Sequence, residues 1–216
     1  MNKTKLIVFD IDGTLTDSVT IHQKAFKEAL SDLGIKKFDE NFKEYKHHTD
    51  SYIAAEIYEK STLQKFMPSE IEAFEQYLTT RIERSKINEI LGAKALIQRL
   101  ESQTESGICY ATGSLLQPAI FKLNSIGIDY SEQQLVASND IMERENIVLQ
   151  AIQNAERYYN VNKFERIISV GDGLWDLKTA LNLGIEFIGI GNSNKEILIQ
   201  NGMKNFFENL VNFKIE

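Results

Sequence analysis

Three short apolar runs, each breaking off into a cluster of Asp, Gly, Thr or Ser, constrain this chain more than any other feature of its sequence. Leu6-Ile7-Val8-Phe9 leads into Asp10-Ile11-Asp12-Gly13-Thr14, Gly107-Ile108-Cys109-Tyr110-Ala111 into Thr112-Gly113-Ser114, and Ile167-Ile168-Ser169-Val170 into Gly171-Asp172-Gly173. Runs of four or five residues without polar alternation match strands covered on both faces, as in a parallel sheet. Residues 134–138 and 187–190 are weaker strand candidates. Between the runs, residues 93–100, 115–126, 147–159 and 177–183 space their apolar side chains three or four apart, and Gly127 and Gly184 stand where helix stops are expected. Pro118 falls in the first turn of its segment, where a missing N–H costs little. Strand, polar turn and helix in repetition predict a doubly wound α/β core.

Residues 19–88 break that rhythm, because they contain no convincing strand. Ile21, Ala25, Phe26, Ala29, Leu30 and Leu33 make one helical face that Gly34 closes, and residues 51–60 and 69–84 supply two further helices. Pro68 and a Ser69-x-x-Glu72 pattern read as the start of the last of these. Some ~70 residues of helix are too many for a simple crossover between the first two strands. The expectation is a core built from 1–18 and 89–216, with a helical cap inserted at 19–88.

At 216 residues such a core needs neither disulfide nor structural metal, since roughly 70% of the unfolded surface is buried at this length. Lys and Arg number 24 against 31 Asp and Glu, giving a net charge of −7 and a pI near 5.2. That balance argues against nucleic acid or an anionic membrane as the main partner, because both select basic surfaces. An anionic small molecule stays open, provided that the protein builds a local positive site. The single cysteine, Cys109, lies inside an apolar run and reads as a small buried side chain. Four apolar residues before Asp10 are too few for a signal-peptide core, and no run approaches the ~18 of a membrane span. A cytoplasmic protein is expected, monomeric by default.

In an open parallel sheet, ligands bind beyond the carboxyl ends of the strands. All three polar clusters follow strands directly, so the fold is expected to gather Asp10, Asp12, Thr112, Gly113, Asp172 and Asp176 at one edge. Crowded carboxylates repel one another and raise their own pKa values unless a cation is present. Oxygen ligands select a hard cation, and a few carboxylates together with a substrate phosphate are how magnesium is usually held. Asp10, ending the first strand, can act as a nucleophile through an aspartyl-phosphate. Asp12, two residues on, can protonate the leaving oxygen and later take a proton from water. The Thr112 hydroxyl and the backbone around Gly113 and Ser114 can hold phosphoryl oxygens at a helix start. Each cluster alone is also an ordinary strand-to-turn sequence. Their order and their shared position behind apolar strands carry the argument.

These residues resemble the haloacid dehalogenase superfamily of hydrolases. Asp10-Ile11-Asp12-Gly13-Thr14-Leu15-Thr16-Asp17-Ser18 is similar to its first motif, Ala111-Thr112-Gly113-Ser114 to its second, and Val170-Gly171-Asp172-Gly173-Leu174-Trp175-Asp176 to its fourth. The likeness runs from residue 5 to about 191, and the helical insertion resembles the cap of the phosphoglycolate phosphatase and β-phosphoglucomutase-like branch. The resemblance implies a Rossmann-like core, a small phosphorylated metabolite as substrate and Mg2+ as cofactor. It implies Asp10 as nucleophile and metal ligand, Asp12 as acid/base with its backbone carbonyl on the metal, Asp172 as a direct ligand and Asp176 as support for the metal shell. Family members that break carbon–halogen bonds lack the second aspartate, so Asp12 favours a phosphatase.

The third motif departs from the family pattern. It usually supplies a lysine, yet none occurs between Lys122 and Lys163, and Arg144 in Met142-Glu143-Arg144-Glu145-Asn146 is the candidate for its place. Arginine can neutralise Asp10 and grip a phosphoryl oxygen, with a planar fork in place of a point charge. His22, His47 and His48 lie in the expected cap, and Lys46-His47-His48-Thr49-Asp50 resembles the loop that reaches toward substrate in this branch. A β-phosphoglucomutase-like mutase is the nearest rival, but it needs a second phosphate grip, and residues 47–50 contain no arginine. A non-catalytic regulator that kept the fold would be expected to have lost Asp10, Asp12 or Asp172.

Overall fold

The computed structural model describes residues 3–215, the side chain of Lys43 excepted. Six strands, β1 (Lys5–Phe9), β2 (Ser106–Ala111), β3 (Leu135–Val136), β4 (Arg166–Gly171), β5 (Glu186–Ile190) and β6 (Asn205–Phe207), form one sheet in the order β3-β2-β1-β4-β5-β6. Every pairing is parallel. The chain winds outward from β1 to one edge and then from β4 to the other, so the reversal falls at β1, where a doubly wound sheet opens its crevice. Phe9 lies opposite Tyr110 on one side and Val170 on the other. That register sets Asp10, Thr112 and Asp172 just beyond the same edge.

Side chains alternate across the sheet, and helices cover both faces. Ile7, Phe9, Ile108, Tyr110, Ile168 and Val170 pack with α4 (Ala93–Glu101), α5 (Leu116–Ser125) and Phe213, while Leu6, Val8, Cys109 and Ala111 pack with α6 (Arg144–Tyr158). Burial raises the Cys109 thiol pKa, which agrees with its reading as an inert core residue. Two further helices, α7 (Leu174–Leu183) and α8 (Lys195–Gln200), complete the layers.

Between β1 and β2 the chain forms α1 (Val19–Asp32), a 3-10 turn at Phe42–Glu44, α2 (Asp50–Thr62) and α3 (Pro68–Ile82). These elements share an apolar centre of their own, with Phe26, Leu30, Ile53, Ile57, Phe74, Leu78 and Ile82 buried around Leu115 of the sheet domain. Fully burying one such Phe or Leu contributes about 1.5–3 kcal/mol. The outgoing and returning segments are tied to each other, since Asp17 N donates to Asn88 O (2.9 Å) and Ile90 N to Leu15 O (2.8 Å).

Several elements depart from expectation, α7 among them, which begins at Leu174 and not at 177. The α3 start uses Pro68 at its first position, and Glu70 accepts the Met67 N–H at 3.0 Å, with Ser69 Oγ donating to Glu70, so the Ser69–Glu72 box does not form. Helix α6 begins at Arg144, three residues earlier than its apolar spacing suggests, because its first turn is polar. Helix α8 and β6 were not expected at all. The former spans six residues, and the latter is a three-residue edge strand. No helix among the described residues is long and apolar enough to cross a membrane.

Candidate active site

The tight turn after β1 sets the first part of the site. Gly13 has φ of +81°, which few side-chain-bearing residues adopt, and a Cβ there would stand 2.3 Å from Asp172 Oδ2. The first and fourth motifs therefore meet through a glycine. At the same edge, Arg144 Nη2 donates to Asp10 Oδ1 and to Asp176 Oδ1, each at 2.6 Å, while Nε donates to Asp176 Oδ1 at 3.0 Å. The start of α6 thus delivers a guanidinium between Asp10 and Asp176, and Arg144 is itself buried.

Charge balance in this cluster is unfinished. Burial and the neighbouring Asp176 push the Asp10 carboxyl up to about 7 despite Arg144. Burial, Asp176 and Asp10 hold Asp172 well above the usual carboxylate range. Asp172 Oδ1 is buried without a hydrogen-bond partner, which is costly for a carboxylate. Ligand oxygens of Asp10, Asp172 and Asp176 lie within 4.8 Å of one another. Asp10, Asp12, Asp172 and Asp176 face two cations, Arg144 and Lys122, which leaves two negative charges over. A hard divalent cation fits this donor set and this deficit.

Asp12 belongs to a second network. Its Oδ2 accepts from Lys122 Nζ at 2.7 Å, and its Oδ1 accepts from Ser18 Oγ. Burial is the largest influence and pushes Asp12 upward, but the Lys122 ammonium, His22 and the Ser18 hydroxyl together hold the carboxyl down at about 2. The same ammonium donates to His22 Nδ1 (2.8 Å) and Ser114 Oγ (3.3 Å). Because lysine only donates, His22 Nδ1 accepts, and Nε2–H donates to Asp50 Oδ1 at 2.8 Å. Asp50 Oδ2 accepts the Leu115 N–H (3.0 Å), and Asp50 N donates to Gly113 O (2.7 Å). One chain of contacts thus runs from Asp12 through α5 to α1, α2 and back to the second motif.

The remaining expected residues are distributed unevenly. The Thr112 hydroxyl oxygen accepts from Ser114 N at 3.0 Å, so that N–H is already spent. A Cβ at Gly113 would lie 2.4 Å from both Arg144 Nη1 and His48 O, so the second motif tolerates no side chain there. His48 stacks on Trp175 with ring centroids 4.7 Å apart and lines the cavity. Burial and the nearby Arg144 lower its pKa to about 4. His47 instead packs edge-on against Tyr52, with Nε2 3.9 Å from Glu143, and is not among the residues lining the cavity.

Lys122 and Asp50 are the contributors that inspection of motifs overlooked. A signal for Lys122 existed, since Leu115, Ala119, Lys122, Leu123 and Ile126 repeat at helical spacing and place a lysine on the buried face of α5. For Asp50 the only cue was its place at the first turn of a helix.

Comparisons with known proteins agree with this fold. The solved structures similar to this chain include a hydrolase from Pseudomonas syringae, 22% identical, covering 95% of this chain and 94% of that one at a TM-score of 0.72. Another is CbbY from Rhodobacter sphaeroides in complex with phosphate, 18% identical over 96% and 95% of the two chains at a TM-score of 0.72. A predicted phosphoglycolate phosphatase from Haemophilus somnus is 18% identical over 97% and 96%, at a TM-score of 0.65. A sequence search of curated proteins finds no match. The family model described as haloacid dehalogenase-like hydrolase matches residues 7–190, a span that takes in the end of β1, all of β2 and β4, and all three motifs. The chain belongs to the haloacid dehalogenase-like hydrolases.

Proposed function

We propose that this hydrolase is a magnesium-dependent phosphatase that cleaves a small phosphomonoester through an aspartyl-phosphate on Asp10. The observation that carries this reading is the Asp10 carboxylate itself, placed at the end of the central strand, held by Arg144 and lining a cavity with Thr112 and Gly113. CbbY, similar in fold, has been solved with phosphate and, as a variant, with xylulose-1,5-bisphosphate. Asp10, Asp172 and Asp176 would hold the ion, with the Asp12 backbone carbonyl added by family resemblance. Bound there, magnesium supplies positive charge to the transferring phosphoryl group.

The chain's own residues do the rest. An Asp10 oxygen attacks phosphorus, the ester P–O bond breaks, and the departing oxygen takes its electron pair and a proton from Asp12. Water then attacks the same phosphorus, gives its proton to Asp12, and releases phosphate and free Asp10. Arg144 orients Asp10, and the Thr112 hydroxyl and Gly113 N–H hold phosphoryl oxygens. The Lys122 contact favours ionised Asp12, which suits the second step and opposes the first. In the acid half of the cycle that contact must loosen. We assign the sheet domain to 1–18 and 89–216 and a mobile helical cap to 19–88, hinged near 16–20 and 88–92. His22, riding on α1, holds the far side of the same ammonium, so cap movement would change its grip on Asp12.

The test is phosphate release from a panel of monoesters with Mg2+ by the wild type and by Asp10→Asn. Turnover that disappears in a folded Asn variant is expected, together with capture of beryllium fluoride by the wild type alone. Undiminished release by that variant would refute the reading.

A further inference from the structure

We propose, building on the phosphatase reading, that the substrate is a compact phosphomonoester with an apolar leaving group and no second anionic group. The cavity above Asp10 measures about 160 Å³. Part of that space is the phosphoryl site beside Asp10, Thr112 and Gly113, so what remains suits a compact leaving group. Away from Asp10 its walls are Val19, Phe26, Phe42 and Ile53 from the insertion, with the stacked His48 and Trp175 rings adding a flat surface. Phe26 and Phe42 brace each other edge-to-face at 5.5 Å.

Of the polar groups lining this cavity, Gln23 and the His48 ring stay available, while those deeper in are spent on one another. Both nitrogens of His22 and both carboxylate oxygens of Asp50 have protein partners, and the Thr49 hydroxyl donates to Met142 O at 2.8 Å. A polyhydroxylated sugar would lose its water here and find few partners in return, which is the costly way to bury a hydroxyl. The cations are spent as well. Among the described side chains Arg144 is the one Lys or Arg lining the cavity, and it serves Asp10, Asp176 and His48 O. Lys122, just behind, has its three N–H donors on Asp12, His22 and Ser114. Among the described side chains that line the cavity, a second phosphate would therefore meet no uncommitted Lys or Arg, so a bisphosphate or a hexose-phosphate mutase cycle is disfavoured.

Benzyl phosphate and glucose 6-phosphate are both esters of primary alcohols, so comparing them isolates the wall from the leaving chemistry. With Mg2+, kcat/KM for benzyl phosphate should exceed that for glucose 6-phosphate and for fructose 1,6-bisphosphate by about tenfold or more, the scale on which an apolar pocket discriminates. Phe42→Ser should pull the benzyl-to-glucose ratio down several-fold. Val19→Thr, which barely changes volume, should lower it in the same direction if the first variant does not fold. Equal or better turnover of the sugar phosphate or the bisphosphate, lost in Asp10→Asn, would overturn the inference while leaving the phosphatase reading intact. A ratio unchanged in folded variants would overturn it too. Silence toward every ester would remove the phosphatase reading and this inference with it.

Discussion

The strand-edge cluster and the insertion that covers it solve opposite electrostatic problems. At the strand edge, Asp10, Asp172 and Asp176 crowd around one guanidinium, and Asp172 Oδ1 has no hydrogen-bond partner among the described residues. In the insertion, by contrast, His22 and Asp50 satisfy each other and bond back to the sheet domain, behind a wall of Val19, Phe26, Phe42 and Ile53. One region keeps charge in reserve for a cation and an anion, and the other spends its polarity internally and offers apolar surface. On the proposed reading, generic phosphoryl chemistry belongs to the first, and choice of leaving group to the second.

Removing the reserve should have the largest effect. Asp172→Asn is expected to cut Mg2+-dependent turnover more than about a hundredfold, because losses of ligand-supporting partners alone reach that scale. The same variant should melt higher than wild type in chelator at pH 7. Asp172 has a folded pKa raised above its unfolded value, so its ionisation disfavours the fold progressively as pH rises above about 4. Calorimetric titration with Mg2+ and thermal melts in chelator check both halves. Equal melting temperatures would mean that the cluster stores no repulsion.

Arg144 tests whether positive charge or fork geometry matters at the strand edge. Arg144→Ala is expected to lose about 2–4 kcal/mol of transition-state stabilisation in kcat/KM, the scale of a lost electrostatic donor. Arg144→Lys should recover part of this, and full recovery would show that the paired contacts to Asp10 and Asp176 are dispensable.

Lys122 joins the two regions. Lys122→Met should lower kcat/KM about tenfold to a hundredfold, the cost of losing a group that orients a reacting one. Without the ammonium, burial dominates and Asp12 titrates above its wild-type value near 2, so the base limb of the pH–rate profile should move to higher pH. An unmoved limb would detach Lys122 from Asp12.

The smallest effect is expected within the insertion. His48→Ala should reorder a substrate panel by a few-fold, while His47→Ala leaves the order unchanged, because only the former side chain lines the cavity. Identical rankings in both variants would remove the loop from substrate choice.

The residues Asp10, Thr112 and Asp172 could be read from the chain because each directly follows an apolar run, and strand-end position is a local property. Arg144 was legible through the family resemblance, as the basic residue just before the helix where the third motif usually supplies a lysine. Helix α8 and β6 were not, because six-residue and three-residue elements leave no periodicity to detect. The Ser69–Glu72 box failed since capping depends on which residue starts the helix, and Pro68 took the first position.

By itself, then, the sequence determined the doubly wound order of elements, the helical character of the insertion and the carboxylates gathered at one edge. Those follow from hydrophobic periodicity and strand-end placement, which neighbouring residues dictate. Tertiary packing alone decided that Lys122 would spend its charge on Asp12, that His22 and Asp50 would close a network, and that His48 and not His47 would face the cavity. Each of these depends on contacts between residues far apart in the chain, such as the 110 positions that separate Lys122 from Asp12.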